Sequence, residues 1–192
     1  MQVEIAGYGA AMAIAKVARI DLLSGQWPDL LERIHSYVAP SSPESTREHA
    51  LQCLGLICEE HVESANEFPQ NETNRILTAL VGGMTADQPE RIRLAATRAL
   101  FDAIEFASAN FDKENERNYL MQTMCEAMIC PNEKIRVAAY QNVNKVLELH
   151  YQYLERYIEA LYGLTTSAFS DGSEEVAMQV CSHARLCPHV LL

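Results

Sequence analysis

The sequence predicts an all-α fold, a right-handed α-α superhelix of the HEAT or armadillo kind, on three observations. Apolar residues fall at helical spacing. Ile76, Leu80, Gly83 and Met84 make one such stripe, and Met121, Met124, Cys125 and Met128 make another, as in a helix that buries one face. No stretch alternates with period two for long, and no helix–strand alternation marks a parallel sheet. The third observation is repetition. Arg91-Ile92-Arg93-Leu94-Ala95-Ala96 returns as Lys134-Ile135-Arg136-Val137-Ala138-Ala139, 43 residues on. Arg47, Ala50 and Leu54 fall 46 residues before Arg93, Ala96 and Leu100. Val176-Ala177 falls 39 after Val137-Ala138, and Ala10 and Ile14 fall 40 before Ala50 and Leu54. That period matches two-helix HEAT or armadillo repeats and misses the shorter ankyrin and tetratricopeptide periods.

The elements follow in order from this register. Helices are expected at about 5–21, 27–39, 44–62, 71–85, 90–109, 113–129, 132–149, 151–169 and 173–186. Pro28, Pro40, Pro43, Pro69, Pro89, Pro131 and Pro188 stand between or beside them, where a helix cannot continue. In repeat terms residues 1–192 form a single array. It has a partial repeat at 1–22, then hairpins at about 27–62, 71–109, 113–149 and 151–186. Neither end looks like the polar cap such a stack normally needs, so the chain reads as a piece of a longer array. In the repeated motif, paired alanines let helices approach closely while Leu, Ile and Val fill the shared core. The arginine is expected to bond an acidic group or carbonyls of the adjacent repeat, with Asp87, six residues before it, as a reasonable partner of Arg93.

Composition narrows the function. The 26 acidic and 15 basic side chains leave a net charge of −11. Such a surface repels a phosphate backbone, so nucleic acid is not an expected partner. It attracts basic peptides, although solubility is the simpler reading of the acidity. No secretory signal precedes the first helix, with Glu4 where basic residues should stand, and no apolar run reaches the roughly 20 residues that span a bilayer. A reducing compartment follows. There Cys53, Cys58, Cys125, Cys130, Cys181 and Cys187 serve as small hydrophobes. The pairs five apart point to different helix faces and match no zinc pattern.

Other constellations carry little chemistry. Val3 to Met12 superficially resembles a dinucleotide fingerprint, but Met12 takes the third glycine position and no βα unit follows. Cys181, His183, Cys187 and His189 form a C-x-H-x3-C-x-H cluster too short to wrap a tetrahedral metal, and a frayed tail is expected there. His61 reads as a histidine beside the C-terminal dipole of its helix. No Ser-His-Asp or Cys-His arrangement, P-loop or HExxH motif is present, so no catalytic site, cofactor or metal is expected.

Specific words of the sequence then carry a resemblance. Gln26-Trp27-Pro28-Asp29-Leu30 and Arg75-Ile76-Leu77-Thr78-Ala79-Leu80 are similar to stretches of importin-β. So are Leu94 to Leu100, Glu105-Phe106 through Glu114, Arg136 to Asn142, and Tyr151-Gln152-Tyr153-Leu154. These runs are in the family's order and cover roughly residues 10 to 180. Residues 1–9 and Ser182 to Leu192 do not resemble it. The chain thus resembles the importin-β family of nuclear transport receptors, HEAT-repeat proteins that carry cargo by binding nucleoporin Phe-Gly repeats and whose cargo is released by Ran-GTP.

The resemblance implies a Phe-Gly site between the outer helices of successive repeats, formed by Leu77, Thr78 and Val81 with Glu116, Tyr119 and Leu120. Tyr119 stands where the family commonly has Phe. The resemblance also implies basic cargo as a partner, with Asp102, Glu105 and Glu148 as acidic residues near the inner helix ends. Solvated charges are the simpler reading of those three. Ran-GTP and importin-α adaptor surfaces are placed largely outside this stretch. Cytoplasm, nucleus and the nuclear pore are the expected locations. The alternative is a generic HEAT scaffold without pore affinity, which has no need of the Leu77/Tyr119 face.

Overall fold

The structure is a computed structural model that describes residues 2–170 and 173–186, with side chains for 7–64, 67–168 and 173–180. The helices are α1 (Gln2–Ser24), α2 (Leu30–Val38), α3 (Glu44–Glu60), α4 (Gln70–Met84), α5 (Glu90–Phe106), the single turn α6 (Ser108–Phe111), α7 (Glu114–Met128), α8 (Glu133–Leu149), α9 (Ile158–Ser170) and α10 (Glu174–Leu186). No strand occurs among the described residues. The chain forms two compact units, Met1–Asn110 and Phe111–Leu192.

In the first unit α2 packs on α3 and α4 on α5, two helical hairpins. The longer helices line up beside one another, α1 against α3 and α3 against α5. In the second unit α7 pairs with α8 and α9 with α10, and α8 lies against α10. The repeat period of the sequence reappears as side-chain hydrogen bonds between residues 39 to 44 apart. Lys16 reaches Glu60, Arg91 reaches Glu48, Arg47 reaches Gln88 and Gln70 reaches Asn110 in the first unit. Tyr153 reaches Asp112, Arg156 reaches Glu114, Tyr157 reaches Asn118 and Ser173 reaches Glu133 in the second.

Local signals set the helix ends. Gly25 takes φ +72° after α1. Its N–H bonds the Leu22 carbonyl while that of Gln26 bonds Asp21, the paired closure that favours glycine. Pro43, Pro69 and Pro89 are the residues just before α3, α4 and α5, and Asn132 caps α8 by accepting the Lys134 N–H at 3.0 Å. The inner helices α3, α5 and α8 are each 17 residues long. Their fourth residues are the repeated arginines Arg47, Arg93 and Arg136. Arg93 does not pair with Asp87 as expected. Its Nε donates to the Met84 carbonyl at 3.3 Å, as Arg47 Nε donates to Val38 at 3.2 Å. Arg136 donates to Cys130 and Pro131 carbonyls at 2.9 Å. Val38 and Met84 end α2 and α4, and the last carbonyls of a helix lack intrahelical donors, so an arginine one turn into the next helix supplies them; for Arg136 the acceptors are carbonyls of the loop between α7 and α8. The Asp87 carboxyl instead accepts from Thr85, which holds it below the usual carboxylate range.

Other boundaries differ from expectation: α1 runs Gln2–Ser24 against 5–21, and α2 starts at Leu30 against 27. The fifth helix ends at Phe106, not 109, where the Ala107 N–H closes on Ala103. The stretch expected as helix 151–169 opens as a 3-10 turn, Tyr151–Tyr157. In a 3-10 turn residues three apart eclipse, which lets Tyr153 and Arg156 reach Asp112 and Glu114 together.

Close approach of helices is set by glycine and alanine. A Cβ on Gly55 of α3 would lie 2.8 Å from the Ala99 Cα of α5, and one on Gly83 of α4 would lie 2.7 Å from the Ala96 Cβ. Cys53, Cys58 and Cys130 are buried and Cys125 is half-buried, all as free thiols. Burial pushes Cys53 up to about 12 and Cys125 up to about 11, and Cys58 rises too, through burial and then the nearby Asp102. These thiols behave as hydrophobes. His61 follows α3 as expected but is buried. Its Nδ1 lies 2.8 Å from the Ile57 carbonyl, and its ring meets Phe68 edge-on at 5.4 Å.

Candidate functional site

Two helical faces, one in each unit, hold the six residues singled out in the sequence. On α4 the apolar stripe Ile76, Leu80 and Met84 is buried and packs toward α5, which fixes the rotation of the helix. Leu77 and Val81 are also buried, 7% and 3% exposed, whereas Thr78 is exposed. The Thr78 hydroxyl donates to the Asn74 carbonyl at 2.7 Å. That bond satisfies the hydroxyl locally and leaves the methyl group as the part free for apolar contact.

The start of α4 is held by a cluster that spacing did not reveal. Gln70 Nε2 donates to Asn74 Oδ1 at 2.9 Å and Asn110 Oδ1 at 3.0 Å. Asn110 Nδ2 donates to Asn74 Oδ1 at 2.7 Å. Asn110 lies in a run the resemblance matched, yet neither period nor composition assigns it a partner.

On α7 the anchoring runs to the segment before α9. Arg117 Nη1 donates to the Phe111 carbonyl at 2.6 Å, and its guanidinium sits 4.2 Å from the Tyr153 ring centre. Asn118 accepts from the Tyr157 hydroxyl and Glu114 from Arg156. With positions 114, 117 and 118 so held, position 119 faces out: Tyr119 is 58% exposed, while Leu120 is buried at 4%. Glu116 is half-exposed and bridges Lys113 at 3.1 Å. Each face therefore has a buried aliphatic floor and an exposed rim, Thr78 on one and Tyr119 with Glu116 on the other.

Of the acidic residues, Asp102 lines a cavity of about 530 Å³ in the first unit together with Glu48, His49, Gln52 and Arg98. Glu105 and Glu148 are exposed. Among the described residues no group of three or more His, Cys, Asp or Glu could hold a metal, and no helix is long and apolar enough to cross a membrane. His183 has no described side chain, nor has Cys181, and Cys187 and His189 lie outside the described residues.

Paired antiparallel helices repeating every forty-odd residues define a HEAT-repeat protein, in which function lies on helix faces and not in a closed active site. No model of a known protein family matches the chain. Curated relatives do. The chain is 39% identical over 176 residues to importin subunit beta-1 of Schizosaccharomyces pombe, covering 91% of the chain and 20% of that protein. It is 39% identical over 171 residues to that of Arabidopsis thaliana, covering 88% and 19%. The chain belongs to the importin-β family. It spans about a fifth of the length of these relatives.

Solved structures agree in fold. A crystal structure of importin beta matches with TM-score 0.86 and 34% identity, over 92% of this chain and 21% of that one. A Kap95:Nup1 complex matches with TM-score 0.79 and 33% identity, over 91% and 20%. A structure of Kap95p with RanGDP matches with TM-score 0.78 and 34% identity, over 89% and 19%.

Proposed function

We propose that the chain works as part of a nuclear import receptor, a binding scaffold and not a catalyst, in the cytoplasm, the nucleus and the pore between them. Its partners are Phe-Gly nucleoporin segments, taken by Leu77, Thr78 and Val81 of α4 and Glu116, Tyr119 and Leu120 of α7. The observation that carries this reading is the 39% identity to importin subunit beta-1 over 91% of the chain. The exposed Tyr119 ring above a buried aliphatic floor fits the same reading.

The energetics suit transit. A phenyl ring that buries about 100 Å² gains on the order of 2–3 kcal/mol. Ordering a disordered peptide offsets most of that gain, so one site is weak and exchanges fast. Many repeats then supply avidity. Basic cargo is the second partner class, drawn by the net negative charge. Ran-GTP and the importin-α adaptor are expected to bind this stretch weakly, because the resemblance places their main surfaces elsewhere.

The test is binding of the purified chain to an immobilised Phe-Gly repeat polymer, compared with the same polymer carrying Ser in place of Phe. Weak, rapidly reversible binding to the first alone, reduced by Tyr119→Ser, is the expected result. Equal binding to both polymers would leave a HEAT scaffold without pore affinity.

A further inference from the structure

The cavity of about 530 Å³ in the first unit carries chemistry that neither helical face above uses. Its long walls are α3 and α5, each backed by its own hairpin partner, α2 and α4. Helix α1 contributes Tyr8 alone. Along α3 the lining side chains Glu48, Gln52 and Leu56 follow one another four residues apart, as do Leu94, Arg98 and Asp102 along α5. Four residues are about 6 Å of helix, so each wall presents one side chain per turn, with Gln52 and Arg98 in the middle. Two of these groups are unsatisfied. Gln52 Oε1 is buried and receives no hydrogen bond, a deficit that an incoming N–H removes. Arg98 is exposed at the mouth. Every other described cation of the first unit reaches a carboxylate or a helix-end carbonyl. Arg98 makes no hydrogen bond or ion pair among the described residues.

We propose that this cavity binds a single Asp or Glu side chain of an extended protein segment whose neighbouring residues are neutral or basic. Arg98 pairs with the carboxylate, and Gln52 Oε1 accepts a backbone N–H of the segment. The other charges of the lining select that occupant. Glu48, bonded to Arg91, stands one turn before Gln52 on α3, and Asp102 stands one turn beyond Arg98 on α5. A phosphate dianion or a polyanion drawn to Arg98 would meet both carboxylates at short range. One carboxylate matches the guanidinium fork and carries the least charge past them. Basic neighbours in the segment are favoured by those same carboxylates and by the net charge of −11. His49, its ring held against Gly7, and Tyr8 add N–H and O–H donors at the border. Leu56 and Leu94 give apolar cover to the stem of the acidic residue. The site lies apart from the α4 and α7 faces and does not depend on their taking Phe-Gly repeats.

The test is an NMR titration of the full chain with a short blocked peptide that carries Lys near each end and a central Leu-Glu-Leu. The same peptide with Gln or Lys in place of Glu is run alongside. The titration extends to about 5 mM, above the Kd of about 1 mM that a contact this small gives. Fast-exchange shifts centred on residues 48–56 and 94–102 are expected, with the Arg98 Nε–H resonance among those that move most. The Gln peptide is expected to bind at least about fivefold more weakly. Arg98→Gln changes an exposed side chain, leaves the circular dichroism intact and abolishes the preference for Glu over Gln. Arg98→Glu reverses it, so that the Lys peptide binds better. Equal binding of the Glu and Gln peptides overturns the proposal. So does a folded chain without shifts in this region at about 5 mM, or a preference for Glu that survives Arg98→Gln. Shifts at 77–81 and 116–120 would report on the Phe-Gly reading separately.

Discussion

Gly82 and Gly83 are adjacent residues near the end of α4 with opposite surroundings, and replacing each by alanine isolates the helix contact that sets the repeat spacing. The intrinsic gain of alanine over glycine in a helix is about 0.5–1 kcal/mol and applies to both. A Cβ at Gly82 meets nothing within 4 Å, so Gly82→Ala is expected to stabilise by about that amount. A Cβ at Gly83 lies 2.7 Å from the Ala96 Cβ and 3.3 Å from Leu51 Cδ1. Carbons attract best at about 3.5–4.0 Å, so the first contact is about 1 Å too short. Ala96 has no rotamer into which to retreat, and α4 must move off α5. Overpacking of this kind costs about 1–3 kcal/mol, which leaves Gly83→Ala destabilised by about 0.5–2 kcal/mol. The two variants should then differ by about 2 kcal/mol, or about 1 M in urea midpoint at a slope of about 2 kcal/mol/M. Ala96→Gly should restore much of the loss in Gly83→Ala, and a double-mutant cycle measures that coupling. Equal midpoints for the two alanine variants, or no rescue by Ala96→Gly, would refute the close-contact reasoning.

Other expected outcomes concern the arginine ladder and the thiols. Arg47→Met keeps the apolar stem but leaves the Val38 carbonyl and Gln88 without their donor. A loss of about 1–2 kcal/mol by chemical denaturation is expected, against almost none for Arg33→Met, whose ion pair with Asp29 is exposed. For the cysteines the sign follows from burial. The unfolded Cys53 thiol ionises from about 9, while the folded one holds its proton to about 12. Stability is therefore level below pH 9 and falls between pH 9 and 12, by about 1.4 kcal/mol per unit for each such thiol. Urea midpoints taken from pH 8 to 10.5 should show that decline, smaller in Cys53→Ala. A wild-type midpoint that holds level to pH 10.5 would contradict the burial of the thiols.

Much of this architecture was legible because the chain punctuates itself. Pro43, Pro69, Pro89 and Asn132 stand at helix starts, and Arg-Leu-Ala-Ala at 93–96 returns as Arg-Val-Ala-Ala at 136–139, the hairpin period. What was not legible depends on three-dimensional reach. Sequence proximity suggested Asp87 for Arg93, but the stronger demand came from the donorless carbonyl of Met84, a feature of helix ends that residue types do not display. The 3-10 opening of residues 151–157 brings Tyr153 and Arg156 to Asp112 and Glu114, partners about forty residues away. The resemblance assigned Leu77, Val81 and Leu120 to one site, yet did not say that all three would be buried, with Thr78 and Tyr119 as the accessible rim. The Gln70/Asn74/Asn110 cluster left no signal, since isolated amides fit a loop equally well.

That burial decides which variants can test the receptor reading. Leu77→Ala or Leu120→Ala would truncate buried side chains at about 2–5 kcal/mol each and confuse loss of binding with loss of folding, whereas Tyr119→Ser acts at an exposed ring. The most direct measurement is an NMR titration of the folded chain with a Phe-Gly nucleoporin peptide, run in parallel on Tyr119→Ser. The account predicts fast-exchange shifts centred on residues 77–81 and 116–120 that vanish or weaken severalfold in the variant. Absence of shifts at saturating peptide in a folded chain, or shifts elsewhere that Tyr119→Ser does not alter, would contradict it.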